Sequence, residues 1–144
     1  MLVSQILKSK SDVGVISVRP DDVVSAAAKL LSEHRIGTVV VSADGTSLDG
    51  ILSERDIVRE LGKRGADCLS DPVSALMTAK LTTCGPSDSA LDVLEMMTNG
   101  RFRHLPVMED GKMIGLISIG DAVKARLAEL AMERDSLEGM IMGH

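Results

Sequence analysis

Arg101 to Ala122 reads RFRHLPVMEDGKMIGLISIGDA. It spells an apolar strand, an Asp110-Gly111 turn, a second apolar strand, and Ser118-Ile119-Gly120-Asp121 opening a helix. Arg35 to Ile57, RIGTVVVSADGTSLDGILSERDI, has the same order, again with Asp-Gly in the hairpin and Ser-x-x-Asp at its end. Pro20 and Pro86 stand 66 residues apart, as do Asp44 and Asp110. Gly50 and Gly115 stand 65 apart, as do Asp56 and Asp121, because one residue is lost in the second hairpin. A register held over about forty positions with one slip marks an internal duplication.

Outward from these hairpins, each copy predicts the same series of elements. Val3 to Lys8 reads as a short helix and Val15 to Val18 as a short strand stopped by Arg19-Pro20. Asp21 is the expected cap of a helix reaching His34, with Val23, Ala27, Leu30 and Leu31 on one face. Ile36 to Val41 is an apolar run of the kind buried on both sides, and Gly50 to Leu52 returns as its antiparallel partner. A second helix runs from Ser53 to about Leu61. In the second copy Val73 to Met77 repeats the opening helix, and Leu81 to Cys84 repeats the first strand. Ser87 repeats the cap, and Ala90, Val93, Leu94 and Met97 repeat the apolar face. Between the copies, GKRGADCLSDP (62–72) has the composition of a linker. Lys124 to about Met142 continues the last helix with more apolar residues than a solvated helix carries, which fits packing against a second copy of the chain.

Composition narrows the function. The 144 residues are 44% hydrophobic, enough for a packed interior. That material is aliphatic, with nine Met, one Phe and neither Trp nor Tyr, so stacking platforms for single-stranded nucleic acid are missing. A net charge of −5 gives no basic footprint for DNA. No apolar run approaches the roughly 18 residues that span a bilayer, and Met1 to Lys10 does not read as a signal peptide. Cys68 and Cys84 make no metal pattern, and two unpaired thiols fit a reducing cytoplasm. His34, His104 and His144 are dispersed, and no H-x-x-x-H, C-x-x-C, G-x-S-x-G, Walker-type or glycine-rich dinucleotide motif occurs, so an enzyme is not expected.

Two units of strand–helix–strand–strand–helix, with Leu105-Pro106-Val107 opening the second strand, Asp-Gly hairpins and Gly-x-x-Ser-x-x-Asp ends, resemble a tandem pair of CBS domains, a Bateman module. The resemblance covers about residues 3–126 and implies an α+β fold. In it, two β-α-β-β-α repeats pack about a pseudo-two-fold axis, with an extra N-terminal helix and a C-terminal helical extension. On this reading residues 1–62 are the first repeat, 63–72 the linker, 73–126 the second repeat and 127–144 the extension. The resemblance further implies two clefts between the repeats that bind adenosine-containing ligands: AMP, ADP, ATP, NAD(H) or S-adenosylmethionine derivatives. Homodimers are common in the family, and many members regulate a downstream protein.

Two readings apply to Ser53-x-x-Asp56 and Ser118-x-x-Asp121. Each is a capping-box pattern, in which Ser caps the helix and the acid satisfies a free N–H. A helix N-terminus with a hydroxyl also suits phosphate, and a carboxylate one turn in suits a ribose diol. The resemblance implies the second set of roles, and the two are compatible. Arg103-His104 is either a solvated pair at a strand edge or the local positive charge an anionic ligand needs. The first copy has Gly37-Thr38 instead, so the two sites are expected to differ. By resemblance the adenine would lie against Ile16-Ser17-Val18 and Thr82-Thr83-Cys84, with Ile36 and Phe102. Asp121 would share a cleft with the Ile16 strand and Ile36, and Asp56 one with Thr83 and Phe102. For Phe102 and Cys84 plain core roles are the simpler alternative. The function implied is a sensor of adenine nucleotide that signals to a partner, without catalytic cofactor, nucleic acid or membrane. The alternative is a ligand-free structural or interaction module.

Overall fold

The computed structural model describes residues 1–10 and 15–141. In chain order it contains α1 (Val3–Ser9), β1 (Ser17–Val18), α2 (Val24–His34), β2 (Thr38–Val41), β3 (Gly50–Ser53) and α3 (Glu54–Arg64). A 3-10 helix (Gly65–Ser70), α4 (Val73–Leu76), α5 (Ala90–Gly100), β4 (His104–Glu109), β5 (Lys112–Ser118) and α6 (Ile119–Ile141) follow. The fold is α+β, as expected. Met142, the expected end of the last helix, lies outside the described residues.

The chain forms two compact units. The first runs from β1 to Thr82 and includes the hairpin tip Asp110–Ile114, where the Met113 N–H donates to the Thr46 carbonyl at 2.9 Å. The second combines α1 with residues 83–109 and the chain from Gly115 onward. In the first unit β1 runs parallel to β2 and β2 antiparallel to β3, with Val41 opposite Gly50 and Thr38 opposite Ser53. All four residues of β2 are buried, as its unbroken apolar run requires. Val24, Ala27 and Leu31 of α2, Leu52, Ile57, Val73 and Leu76 close over it. In the second unit Val3 and Ile6 pack with Ala90, Val93, Met97, Leu105, Val107, Ile117 and Ala122.

The two opening helices change places between the units. The first amides of α1 donate to the carbonyls of Asp88 (2.8 Å) and Pro86 (3.0 Å). Those of α4 donate to Asp22 (2.7 Å) and Pro20 (3.0 Å), positions related to the former pair by the 66-residue shift. Each helix therefore completes the core of the copy it does not belong to in sequence. Gly115 and Gly50 make room for this. A Cβ at Gly115 would meet Leu7 of α1 at 2.6 Å, and one at Gly50 would meet Met77, just past α4, at 2.7 Å.

Several element boundaries differ from expectation for identifiable reasons. Asp21 does not cap α2. The Asp22 carboxylate instead accepts from the Arg19 N–H at 2.8 Å, forming a turn that delays the helix to Val24 and leaves Val23 exposed. Asp88 and Gly85 repeat this turn at 2.8 Å, and Ser89, not Ser87, caps α5 by accepting from the Asp92 N–H at 3.1 Å. Leu81 to Cys84 makes only a single parallel bridge, Cys84 to Val107. In the first copy the Val40 N–H donates to Ile16 and the Ser42 N–H to Val18. The residue matching Val40 is Pro106, which has no N–H to donate to Thr82, so the pairing is confined to Cys84, which accepts from the Met108 N–H at 2.8 Å and donates to the Pro106 carbonyl at 2.9 Å. The segment 63–72, read as a linker, holds the end of α3 and the 3-10 helix, and Cys68 within it is fully buried.

Candidate functional site

Both Ser-x-x-Asp motifs lie where a strand hands over to a helix, and both are reciprocal caps. In the first unit Ser53 Oγ accepts from the Asp56 N–H (3.2 Å), while Asp56 Oδ2 accepts from the Ser53 N–H (2.9 Å) and hydroxyl (3.0 Å). Arg59 stands 3.4 Å from Oδ1, and Asp56 is only 7% exposed. Both oxygens are thus already engaged and nearly out of reach of solvent. In the second unit Asp121 Oδ2 accepts from the Ser118 N–H at 2.9 Å, and Ser118 Oγ accepts from the Asp121 N–H at 3.1 Å. Here the cation is Lys10, whose Nζ lies 2.8 Å from Asp121 Oδ2 and donates to the Leu116 carbonyl at 2.8 Å.

Charge gathers around Asp121. Burial pushes its carboxyl up, but the Lys10 ammonium and the bonds from Ser118 outweigh it and hold the pKa below the ordinary carboxylate range. His104, half-buried at the start of β4, feels Lys10, Asp121 and Arg103. Burial lowers its pKa below the ordinary histidine range, the two cations add to that, and Asp121 opposes them. Four chemically complementary groups (a carboxylate, an ammonium, an imidazole and a guanidinium) therefore share one locality of the second unit. Lys10 and Asp121 line a cavity of about 380 Å³ with Lys124 and the apolar Ile6, Ala125 and Ala128; Arg103, His104 and Ser118 are not part of its wall.

At the place matching Arg103 the first unit has Gly37, with a carboxylate against it in place of a cation. The Glu54 carboxylate lies against Gly37, 3.5 Å from where a Cβ would stand, and the Glu54 N–H donates to the Gly37 carbonyl at 2.9 Å. Ile36 and Gly37 line a groove of about 450 Å³ with Leu31, Arg35, Glu54 and Val58, which does not include Ser53 or Asp56. Thr38 is buried in β2.

Of the residues singled out in the sequence, Ile16, Ser17, Val18, Ile36, Gly37, Thr38, Ser53, Asp56 and Thr82 fall in the first unit. Thr83, Cys84, Phe102, Arg103, His104, Ser118 and Asp121 fall in the second. Val18 and Cys84, equivalent by the 66-residue shift, both turn their side chains into the cores. Burial, with a smaller contribution from Asp88, pushes the Cys84 thiol up to about 11. Phe102 packs on the second core, its ring against Gly100. Ser17, Thr82, Thr83 and Arg103 remain exposed. Sequence reading missed Lys10, Glu54 and Arg59. Lys10 was detectable: Val3 matches Val73, and the same 70-residue offset pairs Lys10 with Lys80.

A family model of the CBS domain matches residues 3–63 and 73–128, nearly the whole chain in two copies. The chain belongs to the CBS domain family. CBS domains are regulatory modules, and no catalytic family is indicated. The chain is 36% identical over 148 aligned residues to a mitochondrial CBS domain-containing protein of Arabidopsis thaliana, covering 98% of this chain and 72% of that one. A CBS-domain protein structure from Agrobacterium tumefaciens is 41% identical with a TM-score of 0.82, covering 88% of this chain and 99% of that one. A CBS domain protein of Pyrobaculum aerophilum, solved in complex with AMP, is 25% identical with a TM-score of 0.77 over 92% and 99% of the two chains. Among the described residues of this CBS pair no group of three His, Cys, Asp or Glu side chains is placed to hold a metal ion. Among them, too, no helix is long and apolar enough to cross a membrane.

Proposed function

We propose that this CBS pair is a regulatory sensor of an adenosine-containing nucleotide, and that Asp121 is the centre of its working site. The observation that carries this is the Asp121–Lys10–His104–Arg103 group: an acceptor suited to a ribose diol stands beside cations suited to phosphate. The AMP complex of the Pyrobaculum relative supports the ligand class. In this reading Asp121 accepts from the ribose hydroxyls, and Arg103 and His104 face the phosphates with Ser118. Backbone of the short first strands, at Ile16–Val18 or Thr82–Cys84, holds the adenine together with Ile36 or Phe102. AMP, ADP, ATP and NAD(H) all carry the required groups. Binding shifts the population of module conformations by no more than the ligand's differential affinity for them, and a homodimer in the cytoplasm passes that shift to a partner protein.

A second reading applies to Asp56. With both oxygens bonded, Arg59 alongside and almost no exposure, it serves as a cap and the first unit's motif holds no ligand. Glu54 beside Gly37 further repels phosphate. Calorimetric titration of ligand-stripped protein with AMP, ADP, ATP, NAD and NADH tests both readings. One nucleotide per chain is expected, abolished by Asp121→Ala and retained in Asp56→Ala. Silence across the panel from folded protein would make the module an interaction scaffold. Two equivalent sites would return Asp56 to a binding role.

A further inference from the structure

We propose that α6 pairs with α6 of a second copy as an antiparallel two-stranded coiled coil. Val123, Leu127, Leu130, Arg134, Leu137 and Ile141 follow one another at alternating spacings of four and three residues, the seam of a coiled coil. All six are exposed, while Ala122 and Ala125 on another face are buried against the body of the second unit. The stripe is therefore additional to the face that fixes the helix to its own chain.

Charge chooses both the occupant and its direction. The segment mixes Arg126 and Arg134 with Glu129, Glu133, Asp135 and Glu138, so it lacks the basic face that draws a helix to an anionic lipid surface. In a parallel pair Arg134 would oppose its own copy at the seam, and Glu133 would flank Glu138 of the other helix, two like-charge conflicts. Reversing one helix about Met132 removes both and leaves one, Glu133 against its own copy near the centre, where Arg126 of the same chain stands 3.9 Å from it. Leu127 then meets Leu137, Leu130 meets the stem of Arg134, and Val123 meets Ile141. Lys124 falls beside Glu138 twice over, once at each end. Arg134 keeps its own-chain partners Asp135 and Glu138, at 3.8 and 4.0 Å, on the flank of the seam.

This inference rests on the dimer of the preceding reading and adds its contact and direction. Sedimentation of the full chain reads the dimer, and site-directed disulfides read the coil. Cys68 and Cys84 are buried and leave the test clean. A mixture of Leu127→Cys and Leu137→Cys chains should give a disulfide-linked heterodimer on mild oxidation, whereas either variant alone should not cross-link. Glu138→Lys should weaken dimerisation roughly tenfold and Lys124→Glu combined with it should restore it, since each substitution acts at two places. A dimer that cross-links through Leu127→Cys alone, or not at all, overturns the antiparallel coil and leaves the dimer standing. A monomeric parent overturns both.

Discussion

Replacing Gly50 with Ala probes the joint between a hairpin and the opening helix of the other repeat. An added Cβ would lie 2.7 Å from Met77 Sδ, 2.9 Å from the Thr78 carbonyl oxygen and 3.1 Å from Met77 Cγ. Met77 can swing away, but Thr78 cannot. Its carbonyl accepts from the Ile51 N–H at 3.0 Å, and its own N–H donates to Ile51 at 2.8 Å. Relief requires stretching that pair of bonds, each contributing about 1 kcal/mol net, on top of an overpacking cost of about 1–3 kcal/mol. The stiffer unfolded chain returns about 0.5–1 kcal/mol. The net loss is about 2 kcal/mol, or about 4–8 °C in Tm for a chain of this size. Gly115→Ala is the control. Its Cβ would meet only Leu7 Cδ2 at 2.6 Å and Cδ1 at 3.1 Å, the tip of a side chain that can rotate. That variant should lie within about 0.5 kcal/mol of the parent, since the rotamer cost and the backbone gain nearly cancel. Urea unfolding followed by circular dichroism measures both. Equal losses for the two variants, or a Gly50→Ala indistinguishable from parent, would refute the idea that the Thr78 bridge makes this approach rigid.

Arg35 and Arg101 close α2 and α5 in the left-handed region, at φ 54° and 56°, so Arg35→Gly and Arg101→Gly should each stabilise by about 0.5–1 kcal/mol. A lower urea midpoint in either would show that the arginine side chain contributes more than its backbone costs. Arg103→Ala should weaken AMP about tenfold and leave adenosine unchanged by calorimetry, because its role is a charge-assisted contact with phosphate. His104 has its pKa lowered by burial, then by Lys10 and Arg103. As pH falls, the unfolded chain takes up that proton first, near about 6.5, so the stabilisation from neutral His104 is present above that pH and lost as pH drops through the folded value. Tm should therefore decline on going from pH 7.5 to 5.5, and His104→Gln should flatten the decline; a parallel decline in the variant assigns it to other groups.

The duplication, the α+β class and the family were legible because they rest on repetition and period, which survive without any knowledge of contacts. Val39, Val40 and Val41 announce a buried strand wherever it lies, and Ser53-x-x-Asp56 announces a helix start. What could not be read locally is decided by partners distant in sequence. The offset between Gly50 and Gly115 was visible, yet its meaning depends on Met77 and Leu7. Pro106 looked like a mark of its strand, but its effect falls on Thr82, whose carbonyl loses a donor. The same holds for charge. Asp56 and Asp121 are alike in sequence, and only Arg59 beside one and Lys10 beside the other separate a closed cap from a group set among cations.

The exchange of opening helices also sets a clock for synthesis. α1, carrying Val3 and Ile6, emerges from the ribosome well before the residues that bury them, which begin near Cys84 and end near Ala125. At about 5–20 residues per second, the delay is on the order of 5–20 s, long compared with the folding of the unit in between. During that interval a short apolar segment waits unpartnered by its own core, while α4, made almost together with its acceptor, docks at once. One half of this molecule can close as soon as its own residues are made, and the other must wait for the second repeat to follow.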